Sequence, residues 1–433
     1  MENQSNPQPD PQPNAGWLKS VLSKLKQNLH LAIIISLTSL CATITVAFWN
    51  NYKQDQRMEN SRAQQEVQRE RDRLERLFES GKRRGRDFED KKKYEEAVNV
   101  YQKAQKEITR ATMPESWAEL QYLQGCALLK HALAIKGPVR ARLLDDAVIA
   151  FDEALTVYTR KNFREGWADT RQWLGRARVI QAETSNGPKR NDLLDQAIQA
   201  FRNAEETYTG HSRDWANTQS WLGRAWVNQA EMSDSQTRDG LLDQAVQAFR
   251  QAAEAYTERS QDWAATQYWL GRAWVNQADT SDKTNDDNLP GRAERALIRA
   301  LEVYTREEFP QDWAHVQFWL GRAFLKQALA VENPERSRLL DKAEQAFRKA
   351  LEVRARRDWP EDWAMTQNHL GETLRHQAMA SEDEPRVRLL KEAIHCFEIS
   401  LDIYTEKNFP SRHKDTQENL SQTLRLLTEA EGK

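Results

Sequence analysis

Three rhythms of apolar and polar positions divide the chain. Between Trp17 and Leu29 the residues Trp17, Leu18, Val21, Leu22, Leu25 and Leu29 fall on one helical stripe, with Lys19, Lys24 and Lys26 beside it. That pattern suits a helix lying among lipid headgroups. From Leu31 to Trp49 nineteen consecutive residues carry no charge. At about 1.5 Å of rise per residue, such a run just crosses a hydrocarbon core of roughly 30 Å. Trp49 and Tyr52 stand where an aromatic belt anchors the far end. Residues 50–80 are polar and free of proline and glycine, with only Met58, Val67, Leu74, Leu77 and Phe78 as candidate contact positions. These are too sparse for a coiled-coil seam and read as a helical stalk. Beyond residue 90 a helical periodicity returns and repeats itself about every fifty residues.

These rhythms predict five segments: a Pro-rich leader over 1–16, an amphipathic juxtamembrane helix over 17–29, a transmembrane helix over 30–49, a stalk over 50–90 and a repeat array over 91–433. The leader, with Pro7, Pro9, Pro11 and Pro13, favours extended conformers and has nothing to bury. It is long for a signal peptide, and no small-residue cleavage site follows the apolar run, so the span is expected to be an uncleaved single-pass anchor. Lys19, Lys24 and Lys26 before the span balance Lys53, Arg57 and Arg62 after it. The amphipathic lysine helix tips the expected orientation toward a cytoplasmic N-terminus, with the repeats on the other side. The cluster Lys82-Arg83-Arg84-Gly85-Arg86 lies beside Asp87, Glu89 and Asp90 and reads as a solvated turn.

The unit of the array is clearest at Asp214 to Trp226, which returns almost letter for letter at Asp262 to Trp274. Its leading tryptophan recurs at Trp117, Trp167, Trp215, Trp263, Trp313 and Trp363, with His413 in the last slot, at steps of 50, 48, 48, 50, 50 and 50 residues. Three residues earlier stand Ser212 and Ser260, or Pro114, Pro310, Pro360 and Pro410. Serine caps a helix start and proline is tolerated there. First helices are therefore expected near 115–134, 165–183, 213–231, 261–279, 311–330, 361–380 and 412–430, the last a capping helix.

Second helices carry small–large–small triplets: Ala147/Phe151/Ala154, Ala197/Phe201/Ala204, Ala245/Phe249/Ala252, Ala293/Leu297/Ala300, Ala343/Phe347/Ala350 and Ala393/Phe397/Ser400. First helices carry Leu174-Gly175, Leu222-Gly223, Leu270-Gly271, Leu320-Gly321 and Leu370-Gly371. In this register the chain from about residue 90 to 430 resembles the tetratricopeptide repeat (TPR) family, in the long, roughly 50-residue variety seen in bacterial proteins. The resemblance implies an all-α, right-handed solenoid with a concave groove that binds protein segments. The family's unit has 34 residues, and the surplus is expected partly between the two helices, in stretches such as Ser185-Asn186-Gly187-Pro188 and Glu332-Asn333-Pro334.

Composition adds limits. Sixty-three basic and 65 acidic residues leave a net charge of -2, so no overall basic bias points to nucleic acid. The three cysteines, Cys41, Cys126 and Cys396, form no disulfide framework or metal-ligand spacing. The tryptophans are core or an aromatic recognition surface, the series Trp173, Trp221, Trp269 and Trp319 being the better candidate for the latter.

Candidate chemistry sits directly after the repeat glycine: Arg176, Arg224, Arg272 and Arg322, followed four residues on by Ile180, Asn228, Asn276 and Lys326. In the family this face commonly contacts ligands, so the resemblance makes Arg176, Arg224, Arg272, Arg322, Asn228, Asn276 and Lys326 a groove for a partner segment, acidic by charge complementarity. The alternative is an internal ladder, each arginine paired with an acid such as Asp195, Asp243 or Asp341. The ladder stops at Glu372, where His369, Glu372 and His376 have a spacing that zinc can use, although a polar end of the groove accounts for it as well. No catalytic or cofactor-binding motif is recognisable, and neither an enzyme nor a cofactor is expected. The chain reads as a membrane-anchored interaction scaffold for a protein or peptide, with a self-assembling structural array as the alternative.

Overall fold

In the computed structural model, residues 15–185, 187–280 and 288–432 are described. The leader through Asn14 lies outside them. Two compact units divide the chain, Met1–Ser80 and Gly81–Lys433. The amphipathic stripe, the apolar run and the stalk belong to one helix, α1 (Ala15–Asp90). Along the apolar run Leu31, Ile34, Leu37, Leu40, Ile44 and Phe48 are all exposed. Hydroxyls of the run bond within the helix: Ser36 donates to the Ala32 carbonyl at 2.8 Å, Thr43 to Ser39 at 2.8 Å and Thr45 to Cys41 at 2.7 Å.

Fourteen further helices follow, and no strand occurs among the described residues: α2 (Tyr94–Gln105), α3 (Pro114–Ala134), α4 (Pro138–Leu155), α5 (Arg164–Glu183), α6 (Pro188–Glu205), α7 (Arg213–Ala230), α8 (Ser235–Ala255), α9 (Gln261–Thr280), α10 (Leu289–Leu301), α11 (Pro310–Leu329), α12 (Glu335–Val353), α13 (Pro360–Met379), α14 (Asp383–Leu401) and α15 (Pro410–Glu431). The first helices of the repeats begin and end within one or two residues of the expected places. Ser212 accepts from the Trp215 amide at 3.1 Å and Ser260 from that of Trp263 at 3.2 Å. Prolines open α3, α11, α13 and α15. Two expectations are corrected. The surplus over a 34-residue unit lies mostly in longer helices, because the connectors are as short as 135–137. The Lys82–Arg86 cluster is helical rather than a turn: Lys82 pairs with Glu119 at 2.5 Å, and Gly85 abuts the Tyr101 ring.

From α2 onward each helix packs on the next, and every odd-numbered helix from α3 also touches the following odd one. Among the described residues no even-numbered pair does so, which places α3, α5, α7, α9, α11, α13 and α15 on the inner wall of a curved stack. The glycine–aromatic register sets the helix spacing. A Cβ on Gly223 would lie 2.8 Å from Phe249 Cε1, and the same crowding holds at Gly125/Phe151, Gly175/Phe201, Gly321/Phe347 and Gly371/Phe397. These rings are fully buried, so only glycine admits the approach.

Candidate functional site

The inner wall carries a continuous stack of cations and indoles. Arg176 lies 4.6 Å from the centre of Trp173 and 5.4 Å from that of Trp221. Arg224 lies 4.6 Å from Trp221 and 4.8 Å from Trp269, and Arg272 4.6 Å from Trp269 and 5.1 Å from Trp319. Arg322, 4.6 Å from Trp319, completes it. Each guanidinium but the last is thus sandwiched between indoles of successive repeats, a geometry in which the ring quadrupole attracts the cation. The stack extends backward through Lys130, 5.8 Å from Trp173, whose ammonium donates to Glu89 at 2.6 Å. The other Glu89 oxygen accepts from Tyr101 at 2.7 Å.

Three of the four arginines also have a carboxylate. Arg224 Nε donates to Glu183 at 2.9 Å, Arg272 pairs with Glu231, and Arg322 with Asp279. Asn228 joins Glu183 at 3.2 Å, and Lys326 joins Asp279 at 2.6 Å. Arg176 has the Gln172 amide oxygen at 3.2 Å instead. The acids expected as partners are therefore the wrong ones. Asp195, Asp243 and Asp341 accept from Gln229, Gln277 and Gln377 at 2.7, 2.7 and 2.9 Å. The acids that serve the arginines stand at the end of the preceding inner helix, 41 to 43 positions back. That offset follows from how repeats stack and has no signature within one repeat.

Ladder and wall border a partly open cavity of about 910 Å³. Eight arginines and five carboxylates line it, along with Asn276, Tyr268, Trp269, Trp319 and His315. A second column of arginines at the starts of outer helices, Arg140, Arg190 and Arg238, faces the same lumen. Arg238 Nε donates to the Ala230 carbonyl at 3.0 Å and so closes the end of α7, while Arg190 reaches Glu231 of the next repeat at 3.0 Å. This column escaped the sequence reading, although its 50- and 48-residue steps were visible. The buried Nε atoms of Arg140, Arg190, Arg272 and Arg354 have no hydrogen-bond partner. Burial lowers the Arg354 pKa below its ordinary value, against the pull of Asp362.

The His369–Glu372–His376 group is a local arrangement. His369 Nδ1 lies 3.3 Å from Glu372, and the Glu372 carboxyl is held down at about 2, burial being outweighed by this hydrogen bond and the nearby histidines. Among the described residues no three His, Cys, Asp or Glu side chains converge for a metal ion.

No family model matches the chain, and no curated protein matches it. Among solved structures it is similar to the C-terminal part of a TPR repeat-containing protein of Cytophaga hutchinsonii, at 14% identity over 78% of this chain and 98% of that one, with a TM-score of 0.40. It is also similar to a thermophilic TPR protein of Thermus thermophilus, at 17% identity over 58% and 98%, TM-score 0.36. A third is the nuclear import adaptor Nro1 of S. pombe, at 12% over 66% and 95%, TM-score 0.38. Likenesses this distant concern the fold alone.

Proposed function

We propose that the chain is a membrane-tethered interaction scaffold whose lumen takes an acidic segment of a partner protein. The observation that carries this reading is the cavity of about 910 Å³ in which eight arginines face five carboxylates. In this partly open lumen, the excess of guanidinium groups favours carboxylates and orients them bidentately. Of the expected groove residues, Arg224, Arg272, Arg322 and Asn276 form the polar wall along which such a segment lies, with Arg176, Asn228 and Lys326 outside the cavity lining. Their internal carboxylates and indoles hold that wall in place before anything binds. Tethering comes from the apolar run of α1, whose side chains are exposed all round and whose Ser36, Thr43 and Thr45 hydroxyls bond within the helix, as a lipid environment favours. In this reading the N-terminus is cytoplasmic and the array lies across the membrane.

Full-length protein in nanodiscs tests the lumen. A labelled oligoglutamate peptide is expected to bind with an affinity that falls as salt rises, and an oligoglutamine of equal length is not. The double variant Arg224→Gln/Arg272→Gln is expected to lose the difference. Equal binding of the two peptides by the wild type refutes the reading. Protease protection of the array in sealed, oriented vesicles tests the membrane side.

A further inference from the structure

A repeat array supplies its own controls, and one unit departs from the rest at the lumen. Outer helices α4, α6, α8, α10 and α14 are each followed by a buried or half-buried tyrosine, Tyr158, Tyr208, Tyr256, Tyr304 and Tyr404, while the short α2 is followed by Ile108. At the 354 position of that series stands Arg354, and it is only 3% exposed. Five residues on the position varies: Phe163, Phe309 and Phe409 pack on their tyrosines at 5.5 to 5.8 Å, and Arg213 and Gln261 fill it in two other repeats. The 359 position holds Trp359, which turns instead to His315, edge-on at 6.5 Å. Both departures fall on the wall of the same cavity.

Arg354 is poorly served there. Its Nη1 donates to Thr366 Oγ1 at 2.8 Å and more weakly to the Asp362 carbonyl at 3.4 Å, and its carbon lies 4.8 Å from the Phe318 ring centre. Its buried Nε–H has no acceptor. The Asp362 carboxylate, which pulls on its charge, stands 4.0 Å from His315 Nε2 and makes no ion pair with Arg354. Arg224, Arg272 and Arg322, by contrast, each hold a carboxylate of this chain. A buried guanidinium without a carboxylate is costly, and it persists where an outside group completes it.

Resting on the lumen reading above, we infer that Arg354 is the specificity-determining anchor of the lumen, taking one carboxylate side chain of the acidic segment beside His315 and Trp359. A peptide fits better than a nucleic acid. Trp221, Trp269 and Trp319 each already hold two arginines at 4.6 to 5.4 Å from the ring centre, which disfavours a base stacking there.

The test is Arg354→Tyr in the full-length protein, which installs the residue used by the neighbouring repeats. Without ligand this variant is expected to melt roughly 2–4 °C higher than wild type. It is expected to bind labelled oligoglutamate on the order of tenfold to a hundredfold more weakly. Arg354→Lys, which keeps the charge but not the fork, is expected to fall between the two. Oligoglutamate affinity unchanged in Arg354→Tyr, but lost in Arg224→Gln/Arg272→Gln, overturns the anchor and spares the lumen reading. No binding by the wild type overturns both. A variant Arg354→Tyr that melts lower, or does not fold, overturns the premise that the arginine is an unpaired burden. Displacement of the peptide by single-stranded RNA at lower concentration than by unlabelled oligoglutamate overturns the choice of ligand.

Discussion

Lys136 and Trp359, 223 positions apart in the chain, meet face to face: the Lys136 ammonium lies 3.0 Å from the centre of the Trp359 ring. It also donates to the neighbouring Asp358 carbonyl at 2.6 Å. Lys136 sits in the connector between α3 and α4, and Trp359 precedes α13, so the contact joins the first full repeat to the sixth. It turns a groove into a lumen, with Leu133 and Arg140 on one side and Trp359 and Met365 on the other. Such a contact at the surface is worth about 0.5–1 kcal/mol, enough to bias closure without supporting the array, whose units are held by their neighbours. Lys136→Met is therefore expected to leave the melting temperature nearly unchanged. Hydrogen exchange at 134–138 and 355–360 is expected to quicken, and the association rate of oligoglutamate to rise. Unchanged exchange at both segments rules out the clasp.

Trp269 is held between Arg224 and Arg272, at 4.8 and 4.6 Å from the two guanidinium carbons. Trp269→Ala removes packing area and both cation contacts, for an expected loss of about 2–4 kcal/mol. Because each repeat packs chiefly on its neighbours, the loss is expected to be local. Exchange should rise in α7, α9 and α11 while α3 and α13 keep their protection. A uniform rise across the array contradicts the nearest-neighbour picture.

At Gly223 the required approach of Phe249 leaves no room for a methyl group, and the ring is fully buried. Gly223→Ala gains helix propensity but forces the pair α7–α8 apart, with an expected net cost of about 1–3 kcal/mol in urea denaturation. Gly240, with nothing within 4 Å of an added Cβ, is the control, and Gly240→Ala is expected to be neutral or stabilising. Equal effects at the two sites refute the packing account.

What the sequence made legible is what repeats locally. The tryptophan period, the Ser212 and Ser260 caps and the Gly223–Phe249 register each lie within one unit, and they place the helices to within a residue or two. Contacts between units were not legible. The ladder arginines found Glu183, Glu231 and Asp279, because stacking brings the end of one inner helix beside the next. The Lys82–Arg86 cluster read as a turn from its charges alone, yet Gly85 against Tyr101 keeps it helical. Arg354 and Trp359 were visible as breaks in the tyrosine and phenylalanine series, but a break acquires meaning only once both residues face one cavity.

His315 links the lumen to pH. Burial, and then the charge of Arg354, bring its pKa down to about 4 from 6.5, while Asp362 pulls the other way and Arg272 adds to the depression. The unfolded chain takes up this proton near pH 6.5 and the folded chain only near 4. Between those values protonation favours the unfolded state, so the stability contributed by neutral His315 is complete above about 6.5 and is lost as pH falls toward 4. His376, lowered by burial, adds to the same slope. His315→Gln is therefore expected to reduce the fall in melting temperature across this window without abolishing it. Glu372, whose pKa is about 2, acts lower, its contribution being lost as pH drops from about 4.5 toward 2. Glu372→Gln is expected to flatten that second fall alone. If His315→Gln leaves the melting curve between pH 6.5 and 4 unchanged, the imidazole is not held neutral in the lumen.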